Sequence, residues 1–137
     1  MNLVEKLLKV DSKKADELKT EKIVSKRLGE LTGAKGGEEI TIREIPARRL
    51  NDLLARQYTA KGVFDMSRSF DAKALAVAEA VTEPDLKDKS LQEHFGCPSS
   101  KDLAIKLFGN EISGISDRIV TLSGLGEVEE TDAEIKN

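Results

Sequence analysis

The sequence predicts an α+β domain, mainly helical, in which an N-terminal helix and a β-hairpin precede a helical bundle. Three observations carry that prediction. Two runs with alternation and β-branched residues, KIVSKRL at 22–28 and EITIREI at 39–45, flank the turn-rich GELTGAKGG. After Pro46 the chain cycles through caps, helically spaced apolar residues and Gly or Pro stops. The composition, 39% apolar but only 4% aromatic and without Trp, supplies an aliphatic core suited to helices. A chain of 137 residues has the length of one domain, placed at 1–126, with the hairpin at about 22–45, the helical part at about 46–124 and an acidic tail at 127–137.

At the front, Leu3, Val4, Leu7 and Leu8 have helical spacing, and Asp11 and Ser12 can cap a second short helical piece reaching Leu18. The hairpin follows with a loose loop. Pro46 suits a first helical turn, and Leu50, Leu53, Leu54 and Gln57 continue a helix that ends before Gly62. TAKGVFDMSRSF is a connector without a clean period, whereas DAKALAVAEAV is alanine-rich and helical, stopping at Pro84. Asp88 caps KSLQEHF, which Gly96 ends. Ser99 caps SKDLAIKLF with Asp102 at the capping-box position, and Asn110 caps EISGISDRIVTL. In this last helix Ile112, Ile115, Ile119 and Leu122 form one apolar face that should close on Leu103, Leu107 and Phe108. Gly114 within it implies close packing or a bend. The tail GEVEETDAEIKN lacks the apolar content to fold and is expected to be disordered.

Several function classes are excluded by composition. No window has the roughly 18–20 apolar residues of a membrane span, and the N-terminus is too charged for a signal peptide, so the protein is expected in the cytoplasm. One cysteine, Cys97, permits no internal disulfide, and with His94 alone beside it no structural zinc site within one chain. The net charge of -3 is uneven: the tail from Glu127 carries about -4 of it, leaving a body near +1. Such a body lacks the basic excess of a phosphate-backbone binder, so nucleic acid is disfavoured as a partner.

GELTGAKGG fails as a phosphate-binding loop because Lys35 is followed by Gly36, Gly37 and a strand rather than by Ser or Thr and a helix. No cofactor is therefore expected from it. His94 and Cys97 straddle a turn marked by Gly96 and Pro98, which favours structural residues over an activated thiol. Lys26, Arg27, Arg43, Arg48 and Arg49 make the main basic cluster, balanced by Glu38, Glu44 and Asp52. Val63, Phe64, Met66 and Phe70 either tuck against the core, the usual fate of Phe, or await a partner. They are the candidate partner contacts. The stripe of Leu3 and Leu7 poses the same choice between burial, the general expectation, and self-association.

The succession PDLKDKSLQEHFG then KDLAIKLFGNEISGISDRIVTLSG resembles the XkdN-like family of phage tail assembly chaperones. The likeness extends upstream through LLKVDSKKADEL, EKIVSKRL, a Gly-containing turn and ITIREIPARRLNDL, covering Leu3 to Gly124. The resemblance implies a non-enzymatic cytoplasmic protein of a phage, prophage or phage-like element. It would coat the tape measure protein, keep it soluble, recruit tail tube protein around it, and be absent from the mature particle. It implies no catalytic residues. Related operons make a longer product by frameshifting, and Ile135, Lys136 and Asn137 can be encoded by a slippery ATA AAA AAC. The competing reading is a small DNA-binding or regulatory protein of such an element.

Overall fold

A computed structural model describes residues 1–125, so the acidic tail expected at 127–137 lies outside the described residues. The hairpin strands are β1, Thr20–Ser25, and β2, Glu38–Arg43, antiparallel with Thr20 opposite Arg43 and Ser25 opposite Glu38. Alternation sends Ile40 and Ile42 of β2 into the core while Glu39 stays exposed. The connection is not a loose loop. Ser25 ends β1 and caps a helix, α2, Lys26–Thr32, so KRL and most of GELTG are helical rather than strand and turn. Gly33, at φ 85°, ends α2 through its N–H to the Gly29 carbonyl.

Tertiary contacts override the strand pattern at Lys26–Leu28. Ser25 Oγ accepts from the Leu28 amide at 3.1 Å, and the Glu111 carboxylate accepts from Ser25 Oγ at 2.6 Å and from the Lys26 and Arg27 amides at 3.0 and 3.4 Å. The first three amides of α2, which an isolated helix leaves without partners, are thereby satisfied. A second determinant is close approach: a Cβ on Gly29 would stand 2.4 Å from the Gly37 Cα. Only glycine allows that crossing.

The helical half starts with α3, Ala47–Ala55, with Pro46 just ahead of it at the cap position. The next helix, α4, Met66–Ala80, begins earlier than the alanine-rich run suggests, because Asp65 caps it and draws Met66 to Phe70 out of the expected connector. It also ends before Pro84. Val81–Glu83 forms a third strand, β3, antiparallel to β2, giving the order β1-β2-β3. Then come α5, Lys89–His94, capped by Asp88, and α6, Ser100–Phe108, capped by Ser99 with Asp102 in the box. A 3₁₀ turn, Gly109–Glu111, leads into α7, Ile112–Leu122. Asn110 therefore sits inside the turn and caps nothing; Glu111 occupies the cap position while its side chain serves α2.

The helix α4 forms the axis of the bundle. Ala72, Ala74, Ala76, Ala78 and Ala80 are buried around it, and their small side chains admit α6 and α7 on its flanks. Ile112, Ile115 and Ile119 are buried as their spacing predicts, but chiefly against α4, with a smaller contact to α6. Gly114 neither packs closely nor faces a neighbour: a Cβ there would meet open space. One continuous apolar cluster joins β2, β3 and the helices from α2 to α7, centred on Ile42, Val77, Leu103, Phe108 and Ile119.

The front of the chain takes no part in that cluster. Asn2 caps α1, Leu3–Leu8, and Asp11 caps a 3₁₀ turn, Ser12–Asp16, but every residue from 1 to 20 is exposed. The expected burial of Leu3, Val4, Leu7 and Leu8 is overturned. Their apolar face finds no complementary surface within the fold.

Candidate partner-binding surface

The segment between α3 and α4 is short, polar in its backbone and self-organised. Asp65 N–H donates to the Gln57 carbonyl at 2.9 Å and Thr59 N–H to the Val63 carbonyl at 2.7 Å, pairing Tyr58 with Phe64 as a miniature antiparallel bridge. Gly62, at φ 80°, closes its turn by donating to the Thr59 carbonyl at 2.9 Å. Gln57 ties the base down, accepting from buried Ser69 at 2.9 Å and donating to the Leu54 carbonyl at 3.1 Å. Asp65 then starts α4, accepting from Ser67 Oγ at 2.6 Å and from the Ser67 and Arg68 amides at 2.9 and 3.2 Å. The Ser67 hydroxyl, followed by the Arg68 amide, holds the Asp65 carboxyl below its ordinary range.

This frame presents apolar side chains to solvent. Val63 is 61% exposed, Phe64 50%, Met66 82% and Phe70 40%, so the general expectation of core burial fails at all four. Tyr58, which the sequence reading missed, joins them, its ring 5.8 Å from Phe64 in an edge-on arrangement. Met66 and Phe70 are one turn apart on the same face of α4. The signal that could have found Tyr58 is its symmetrical place across the Gly62 turn from Phe64.

The other candidates have structural employment. Arg27 donates to the Leu107 and Lys106 carbonyls at 3.0 and 3.3 Å, at the end of α6. Arg43 donates to the Glu44 and Glu79 carbonyls, and Arg49 forks onto the Glu79 carboxylate. Three members of the basic cluster thus stitch the fold together instead of forming a surface of free cations. The His94 ring meets Phe95 edge-on at 4.9 Å, while the Cys97 thiol points to the Phe95 carbonyl at 3.6 Å. Among the described residues no three His, Cys, Asp or Glu side chains gather as a metal site, and no helix is long and apolar enough to cross a membrane.

A model of the family described as "Phage XkdN-like tail assembly chaperone protein" matches residues 4–136. The fold is similar to the crystal structure of the protein yqbn, with a TM-score of 0.52 and 17% sequence identity over 79% of this chain and 88% of that chain. At that identity the likeness concerns the fold alone. Comparison with curated proteins returned no match.

Proposed function

Because the chain belongs to the XkdN-like family of phage tail assembly chaperones, we propose that it binds the tape measure protein, keeps it soluble and helps bring tail tube protein to it. One observation carries this reading: the ordered loop before α4 holds Val63, Phe64, Met66 and Phe70, with Tyr58, out in solvent instead of folding them inward. Clustered exposed apolar side chains on a small domain mark a protein-binding surface. A tape measure protein is a long helical chain with apolar stripes, which such a patch can cover through a helix-face contact. Weak contacts repeated along that chain add by multivalency. The protein acts, in this reading, in the host cytoplasm, as one domain over residues 1–126 without catalysis, and departs before the particle matures. The DNA-binding alternative loses support because Arg27, Arg43 and Arg49 are held by internal acceptors.

Co-expression with the long helical protein encoded beside it, followed by size-exclusion chromatography with mass detection, tests the reading. A soluble complex with several copies of this chain is expected. In Phe64→Ser the complex should weaken by at least about tenfold, as for an aromatic anchor. Unfolding stability should change by less than about 1 kcal/mol, as for a surface position. A lone monomer beside a precipitated partner would reject the proposal, and a large loss of stability would reject the assignment of Phe64.

A further inference from the structure

The sheet ends on an open edge. Glu44 N–H donates to the Lys19 carbonyl at 2.8 Å, one step beyond the Thr20 and Arg43 pair, so Lys19 stands at a hydrogen-bonded position of the antiparallel ladder. Such positions alternate, which turns the N–H and C=O groups of Glu21, Ile23 and Ser25 toward β2 and those of Thr20, Lys22 and Val24 away from it. Among the described residues no strand meets the outward groups, because the order β1-β2-β3 leaves β1 outermost. An uncovered edge is a template for pairing, which native folds cover or blunt. Beside it lies a groove of about 620 Å³ between β1 and the start of α7, lined by Ile23, Val24, Gly114 and Ile115 with the paired Glu21 and Arg118. Gly114, where a Cβ would meet open space, keeps the wall of the groove low.

We infer that this edge and groove receive the chain's own acidic segment, residues 129–135, as a strand parallel to β1. Position favours this occupant. Ser123 Oγ accepts from the Ile45 amide at 2.9 Å, two residues past the Arg43 that faces Thr20, so α7 delivers the chain to the Thr20 end of β1. Glu111, at the other end of α7, accepts from Ser25 Oγ, so α7 runs antiparallel to β1, and a chain turning back at Gly124, with φ 96°, follows β1. The six residues of β1 extend about 20 Å, and residues 126–137 can span about 40 Å. The residue pattern agrees. Glu130, Asp132 and Glu134 fall on one side of an extended segment, and Thr131, Ala133 and Ile135 on the other, where they suit Ile23 and Ile115.

Charge selects the same occupant. Lys19 and Lys26 flank β1 with no ion-pair partner among the described residues, and Lys22 has only an exposed pair with Glu39 at 3.6 Å, which holds it weakly. The nearby anions are already engaged, Glu21 by Arg118 and Glu111 by Ser25 Oγ and the first amides of α2. A second β1 would set lysines against lysines, whereas the acids of the segment oppose them. A segment too poor in apolar residues for a core of its own finds here backbone partners, the main source of affinity in strand addition. The contact leaves the surface around Phe64 free and stands independently of the tape measure reading.

Amide exchange in the full chain, followed by NMR, tests the inference. The Lys22 and Val24 amides should exchange at least about tenfold more slowly than in the variant Glu130→Lys/Asp132→Lys/Glu134→Lys, and than in a chain ending at Leu125, which keeps every core residue. Added salt should narrow the difference. The Ile23 amide, held by β2, should exchange alike in all three chains and reports an intact sheet. Gly114→Leu, which raises the wall of the groove without entering the core, should speed exchange at Lys22 and Val24 and spare Ile23. The inference is overturned by Lys22 and Val24 amides that exchange freely in the wild-type chain, or by protection that survives loss of the segment. Protection that grows with protein concentration would give the edge to a second copy and overturn it equally.

Discussion

Glu111 shows how one side chain can decide a distant secondary structure. Its carboxylate lies 85 residues along the chain from the Lys26 amide that it accepts, and it also receives the Ser25 hydroxyl. Hydrogen bonds to a charged group contribute about 1.5–3 kcal/mol each, and the groups here share one half-buried carboxylate. Glu111→Ala should therefore lower unfolding stability by about 2 kcal/mol, read from urea denaturation, with Glu111→Gln losing less because its amide oxygen still accepts. Asp65 makes a different prediction, one in pH. Its folded-state carboxyl is held below the ordinary value near 3.8, so its contribution is present in full above that value and is lost as pH falls through the lower folded one. Amide exchange at Ser67 and Arg68 should accelerate in that acidic window. Asp65→Asn should remove the pH dependence while keeping the start of α4, because Asn caps about as well as Asp.

At the scale of elements, the informative contrast is between caps and registers. Helices whose signals are local were legible: Asp88, Ser99 and Asp102 act where the sequence places them, and the spacing of Ile112, Ile115 and Ile119 gives their burial. Elements that depend on distant partners were not. The helix α2 rests on Glu111 and on the Gly29–Gly37 crossing, neither visible in a window around KIVSKRL. β3 has only three residues and exists because β2 offers it an open edge. Asp65 is a local cap signal for α4, but the apolar Phe64 and Met66 on either side of it lack the helical period that would mark a helix start there. Gly29→Ala turns this contrast into a measurement. The new Cβ would meet the Gly37 Cα at 2.4 Å and the Ala34 carbonyl oxygen at 2.6 Å, both backbone atoms unable to yield cheaply. The helix-favouring substitution should thus destabilise the protein by about 2 kcal/mol or more, as overpacking does, whereas Gly114→Ala, facing open space, should leave it equal or slightly more stable.

At the scale of the whole molecule, the chain divides its apolar side chains between a core that closes on itself and two surfaces that do not. The core runs from Leu28 to Ile119 and omits residues 1–19. The candidate site was legible as four residues with an undecided fate, because exposure is set by whether a complementary surface exists, and no periodicity reports that. The division predicts how a chain lacking residues 1–16 should behave. No buried residue is lost, and the backbone tie between Lys19 and Glu44 remains, so its melting temperature in dilute solution should match that of the intact protein. Because the loop around Phe64 is untouched by the truncation, capture of the long helical partner should survive it, as co-purification of the shortened chain with that partner would show.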